Sequence, residues 1–121
     1  MKRISQSELE VMSVLWRKSP LAASDVIAGL PRSKAWSDRT VKTLLARLVE
    51  KGALSTIPDG RRYLYVPLIS QDVYAGQAAR SLSERLFGGR AAPLVAHLAE
   101  RDGLSDDDIA ELEALLRELK S

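Results

Sequence analysis

The chain has 121 residues, 45% hydrophobic and 28% charged, the composition of a soluble globular protein of one domain or two small ones. It has no cysteine, which excludes a disulfide framework and a thiolate metal site, and its single histidine, His97, cannot form a zinc site without several other ligands. The net charge of +2 conceals an asymmetry: residues 1–68 carry twelve basic and six acidic side chains and residues 69–121 carry six and ten, so a polyanion would meet the first half.

Ser5 to Arg17 reads as a first helix. Ser5 with Glu8 three residues later has the spacing of a capping box, and Leu9, Met12, Leu15 and Trp16 supply a buried stripe. Trp16 reads as a core anchor rather than a platform for a base. Lys18-Ser19-Pro20 ends this helix, since proline cannot continue it. Leu21 to Leu30 reads as a short second helix with Val26, Ile27 and Leu30 facing inward, weakened by Gly29 and closed by Pro31. Pro31 to Ala35 is the turn into the next helix; its Arg32 and Lys34 are candidates for phosphate contact, the alternative for each being an ordinary solvated basic turn.

Ser37 to Lys51 is the stretch around which the chain is organised. Val41, Leu44, Leu45, Leu48 and Val49 gather on one side of a helix. The other side carries Arg39, Thr40, Thr43, Ala46 and Arg47, with no carboxylate before Glu50. Arginine can fork onto guanine, hydroxyls reach bases or phosphates, and small side chains permit close approach, which is what a helix entering the DNA major groove requires. Ser37 is a suitable N-cap, Asp38 complements the helix dipole, and Trp36 and Val41 have the spacing of a hydrophobic staple. Lys51-Gly52 marks the end. An ordinary amphipathic surface helix with a basic outer face would look the same in isolation.

The residues after Gly52 separate these two possibilities. Ala53 to Pro58 reads as a strand, Asp59-Gly60 as a hairpin turn, and Arg62 to Pro67 as a second strand with Tyr63 and Tyr65 on one face and Leu64 and Val66 on the other. The chain thus runs helix, turn, recognition helix and wing, in that order. Arg61 and Arg62 at the wing tip suit contact with phosphate or the minor groove.

The second half is helical: Gln71 to Phe87, broken by Gly88-Gly89; Pro93 to Arg101; and a last helix opened by Ser105 and three aspartates, after an Asp102-Gly103 loop. Ala75, Ala79, Leu82 and Leu86 line the first of these, and Ile109, Leu112, Leu115, Leu116 and Leu119 the last. Some 50 residues in three helices bury little alone. Their seams therefore read as subunit contacts, the alternative being that they pack on the first half of the same chain. The fold class is mainly α with a small β-hairpin: a winged helix-turn-helix DNA-binding domain at 1–69 and a helical dimerisation domain at 70–121.

Enzyme readings find no support: there is no phosphate loop, nucleophile elbow or Cys–His pair. No cofactor is expected. His97 reads as structural, and Asp106-Asp107-Asp108 as an acidic helix start rather than a cation site. With no long apolar run and no signal-peptide pattern, the expected location is the cytoplasm, with no membrane partner.

Leu9-Glu10-Val11-Met12-Ser13-Val14-Leu15-Trp16, Thr40-Val41-Lys42-Thr43-Leu44-Leu45-Ala46-Arg47-Leu48 with Lys51-Gly52, Arg61-Arg62-Tyr63-Leu64-Tyr65, and Leu104-Ser105-Asp106-Asp107-Asp108-Ile109 resemble the penicillinase-repressor family of BlaI/MecI type over essentially the whole chain. The resemblance implies a homodimeric transcriptional repressor of a palindromic double-stranded DNA operator. It points to Arg39, Thr40 and Thr43 for bases, with Lys42 and Arg47 as further contacts. Copper-responsive members carry cysteines near the C-terminus, and this chain has none. Members released by a membrane sensor protease are cut at an Asn-Phe bond in the penultimate helix; the corresponding pair here is His97-Leu98. The alternative function is a winged helix that binds protein and not DNA, which would need no basic, hydroxyl-bearing recognition face.

Overall fold

The structure, a computed structural model, describes residues 3–101 and 103–121. Its elements run α1 (Gln6–Arg17), β1 (Leu21–Ala22), α2 (Ala23–Gly29), α3 (Asp38–Glu50), β2 (Leu54–Asp59), β3 (Arg62–Pro67), α4 (Gln71–Phe87), α5 (Ala91–Arg101) and α6 (Asp106–Lys120).

Local chemistry sets the helix ends. Ser5 caps α1, its hydroxyl accepting the Glu8 N–H at 3.2 Å while Glu8 Oε1 accepts the Ser5 N–H at 2.7 Å. Ser37 caps α3 by accepting the Thr40 N–H at 3.1 Å. At the other end of α3, Gly52 adopts φ +81°, the Ala53 N–H reaches back to the Leu48 carbonyl and the Gly52 N–H to that of Val49. Those two bonds make a Schellman motif, which satisfies carbonyls the last turn leaves open.

The core of the first compact unit, which extends to Ala75, is built where three helices meet the start of β2. Val11, Met12, Val14 and Leu15 of α1, Val26 of α2, Val41, Leu44, Leu45 and Leu48 of α3, and Ala53 and Leu54 are buried together. The α1 stripe is therefore turned slightly from the expected one: Met12 and Leu15 lie inside, while Leu9 and Trp16 pack at its margin. Trp16 is an anchor there, donating from Nε1 to the Ile69 carbonyl at 2.9 Å and lying 5.7 Å from the Tyr74 ring.

The sheet corrects one expectation. Leu21 and Ala22 are not the first turn of a helix but a two-residue strand, antiparallel to β3 with Leu21 opposite Tyr65 and Ala22 opposite Leu64. Their backbone groups are satisfied by a strand some forty residues away, and α2 begins only at Ala23. The strand order is β1-β3-β2, so β3 is central and Pro58, which cannot donate to a ladder, sits on the edge strand β2. Gly60 and Arg61 form the two-residue turn between Asp59 and Arg62. Gly60 has φ +64° and Arg61 has no positive φ, the pattern of a type II′ hairpin turn.

Gly76–Ser121 forms the second unit. Gly88 and Gly89, both at positive φ, end α4, and α5 starts at Ala91, so Pro93 falls in its first turn, where a missing N–H is tolerated. Of the expected Asp102-Gly103 loop, Asp102 lies outside the described residues. Ser105 caps α6 through a second capping box, Ser105 with Asp108. None of the described residues of α4, α5 and α6 is buried.

Candidate nucleic-acid interface

Burial of Val41, Leu44, Leu45 and Leu48 turns the opposite side of α3 to solvent. At 100° per residue, Arg39, Thr43 and Ala46 stand along the middle of the exposed face, Thr40 and Arg47 along one flank and Lys42 along the other. All six are exposed. The sequence-predicted set thus shares one face but divides into a central row and two edges.

The two threonines are not equivalent. Thr43 Oγ1 donates to the Arg39 carbonyl at 2.9 Å, so its hydroxyl hydrogen is committed and its lone pairs and methyl group face outward. It can accept from an exocyclic amine or pack on a thymine methyl, but it cannot donate to guanine without breaking that bond. Thr40 Oγ1 lies 3.0 Å from Ser37 Oγ and belongs to the N-cap as much as to the surface. Arg39 forms no ion pair among the described residues, which leaves its guanidinium unoccupied.

The wing divides its two arginines. Arg61 occupies the second turn position and is exposed. Arg62 Nε contacts Asp59 Oδ2 at 3.0 Å across the turn, which ties the guanidinium to the end of β2. In the turn before α3, Lys34 is drawn toward the protein: its Nζ is 3.8 Å from Glu10 and 5.8 Å from the Trp36 ring centroid. Arg32 is exposed.

Between α3 and the wing lies a cleft of about 400 Å³, lined by Lys42 and Asp38 of α3, Arg62 and Tyr63 of β3, and Ser24 of α2. Neither Ser24 nor Tyr63 is among the residues the sequence marks for the interface. The alternation of Tyr63 with Tyr65 is visible there, but Ser24 reaches β3 only because β1 pairs with it, and two residues of strand leave no pattern to read.

The second unit holds the remaining predicted residues. Leu82 and Leu112 are half-buried, and Leu86, Ile109, Leu115, Leu116 and Leu119 are exposed, Leu119 to 73%. Val95, Leu98, Leu104, Leu112 and Leu115 line an apolar groove between α5 and α6, with Asp108 and Glu111 at its rim. His97 and Leu98 lie inside α5 with exposed side chains, the His97 ring 5.3 Å from that of Phe87. Among the described residues no helix is long and apolar enough to cross a membrane.

The chain is similar to several known proteins. The family model described as Penicillinase repressor matches residues 4–118. The penicillinase repressor of Bacillus licheniformis is 37% identical over 119 residues, covering 98% of this chain and 93% of that one. The methicillin resistance regulatory protein MecI of Staphylococcus aureus is 30% identical over 113 residues, covering 93% and 92%. Among solved structures, the monomeric form of Bacillus licheniformis BlaI in complex with the blaP half-operator superposes with a TM-score of 0.51 at 41% identity, covering 59% of this chain and 87% of that one.

Proposed function

The chain belongs to the penicillinase-repressor family, a family of DNA-binding transcriptional repressors and not of enzymes, and from that premise we propose that it works in the cytoplasm as a homodimer on a palindromic operator. Each protomer lays α3 in the major groove of one half-site. Arg39 and Thr43 read base edges from the middle of the face, Thr40 and Arg47 support them from one flank, and Lys42, Arg61 and Arg62 meet the backbone. Leu82, Leu86, Ile109, Leu112, Leu115, Leu116 and Leu119 supply the contact between protomers. Cutting within the second unit, by a sensor protease, then releases the operator by separating the two half-site readers.

The observation that supports this most directly is the exposed face of α3: an arginine with no ion-pair partner among the described residues, a hydroxyl with free lone pairs and an alanine in one row, on a winged helix similar to one solved on a half-operator. A mobility-shift assay with DNA from upstream of the protein's own gene tests it. The expected result is a complex that survives excess random duplex and weakens steeply between two salt concentrations. Equal affinity for upstream and random DNA would overturn the sequence-specific reading.

A further inference from the structure

Lys42 and Arg62 belong to separate elements, one a helix and the other a hairpin. The fold brings them to the same cleft. The pairing of β1 with β3 sets the start of α2 beside the wing, and Lys42 lies on the flank of α3 that borders the same space. Two cations on different elements, a serine hydroxyl on a third and the Tyr63 phenol therefore line one open site of about 400 Å³. The Arg62–Asp59 contact uses Nε, so the terminal guanidinium nitrogens keep their donors. Asp38 is the one carboxylate in the lining, and Asp59, outside it, already pairs with Arg62, so Lys42 is the cation there that forms no ion pair among the described residues.

We propose that this cleft seats a single backbone phosphodiester of the DNA strand bordering the major groove, held by Lys42 and Arg62 with Ser24 and Tyr63 as hydroxyl donors. The inference rests on the reading that α3 enters the groove, and it assigns what fixes the depth and register of entry. A phosphodiester carries one negative charge, for which Lys42 supplies the countercharge and Arg62 its remaining N–H donors; Asp38 and Asp59 together disfavour a dianion or a second phosphate. With α3 in the groove, a sugar-phosphate strand runs along each flank of the helix, and the Lys42 flank is the one the wing closes. Contacts of this kind position a protein on the duplex without reading sequence, and pre-set donors from three elements do so at one point. Lys42 and Arg62 are then positioning residues, and base preference stays with the middle of the α3 face.

The test uses the intact protein and its upstream operator fragment, synthesised as a series of duplexes in which one phosphate at a time is replaced by an uncharged methylphosphonate. Wild-type protein should lose about tenfold in affinity at one position per half-site that faces the cleft. Lys42→Met should lose a similar factor on the native duplex and nothing further on the duplex neutralised at that position, and Arg62→Met should behave in the same way. Ser24→Ala and Tyr63→Phe, which are small enough to leave the fold intact, should each lose a few-fold on native DNA and nothing at the neutralised position. Each lysine or arginine variant should lower the salt exponent by about one per half-site, with base preference unchanged. Losses that remain additive with every methylphosphonate would overturn the shared seat while leaving specific binding in place. Failure of wild-type protein to distinguish its operator from random DNA would instead overturn the reading on which the inference rests.

Discussion

Lys51, which closes α3, donates from Nζ to the carboxylate of Glu8, which caps the start of α1, 43 residues earlier in the chain. Glu8 is 1% exposed and also accepts the Ser5 N–H, while Lys51 donates a second bond to the Arg3 carbonyl at 2.8 Å. An ion pair with a buried carboxylate therefore ties the end of α3 to the N-terminal segment. The second carboxylate oxygen of Glu8, Oε2, has no hydrogen-bond partner among the described residues, and the bonds there are made at Oε1.

Removing the lysine should test that tie. Lys51→Met leaves a buried carboxylate without its countercharge and should cost about 3 kcal/mol in urea denaturation at neutral pH. Burial alone pushes the Glu8 pKa up, but the bonds from Lys51 and Ser5 outweigh it and hold the group below its ordinary 4.5. The folded state thus binds protons less readily than the unfolded one. The stability this pair contributes is present above pH 4.5 and is lost as pH falls through the lower folded value. In Lys51→Met burial acts unopposed by the lysine, so the gap between variant and wild type should narrow in acid. A gap that stays constant from pH 7 to pH 4 would contradict the assignment.

Gly29 sits where α2 crosses α1. A Cβ built on it would lie 2.7 Å from Val14 Cγ1. Gly29→Ala should therefore destabilise by about 1–3 kcal/mol through overpacking, although alanine is the better helix former by about 1 kcal/mol. With Val14→Ala the obstruction goes. Thermal denaturation of the double variant should show a smaller loss than the sum of the two singles, and simple additivity would mean the contact does not set the crossing.

The helices were legible because their signals are local. Ser5 and Glu8, Ser37, Gly52, and Ser105 and Asp108 act over three or four residues, and each is found at the end it marks. The exposed row of α3 comes from the same periodicity. What the sequence concealed was made by pairing at a distance. Leu21 and Ala22 have no strand pattern of their own and become a strand only opposite Tyr65 and Leu64. The Glu8–Lys51 pair and the Ser24–Lys42–Arg62 cleft depend in turn on elements the fold has already brought together.

Base readout and backbone attraction should separate at Arg39 and Arg61. Arg39→Ala removes a guanidinium from the middle of the α3 face. It should cost about 1–3 kcal/mol on the operator and relax preference at one base pair per half-site. Arg61→Ala, at the wing tip, should weaken binding to operator and random duplex alike and flatten the salt dependence. Titration of both variants on both duplexes checks this, and an equal loss for Arg39→Ala on the two would remove it from base reading.

The winged helix should need more of the chain than its last strand. Trp16 bonds to the Ile69 carbonyl and packs on Tyr74, both beyond β3. A fragment ending at Leu68 leaves that indole without its acceptor and its aromatic neighbour, whereas one ending at Ala75 keeps both. The longer fragment should be more stable by about 1–3 kcal/mol in urea, from one hydrogen bond to a partly buried donor and one aromatic contact. Equal midpoints would place Trp16 outside the folding unit.

Assembly is tested at the far end of the chain. The second unit has fewer than fifty residues and buries none of those described, while α6 exposes Ile109, Leu115, Leu116 and Leu119 in one seam. A unit of that size seldom holds a core by itself, and apolar area left in water forfeits about 25 cal/mol for each Å² that a partner would cover. A stop codon after Arg101 removes this seam and leaves Arg39, Thr40 and Thr43 untouched. Sedimentation should find the full chain dimeric at micromolar concentration and the truncated chain monomeric. Operator affinity should fall by about 10²- to 10⁴-fold as two linked half-sites become independent, with base preference within one half-site retained. A protease cutting anywhere from Pro93 to Gly103 would likewise separate α6 from the half that carries Arg39, Thr40 and Thr43. The His97-Leu98 bond lies within α5, so cutting there requires that helix to open first, which an unburied helix does more readily than a core element. A truncated chain that still dimerises and holds the operator as tightly as the intact one would show that α6 is not the subunit contact, and release by C-terminal cutting would fail with it.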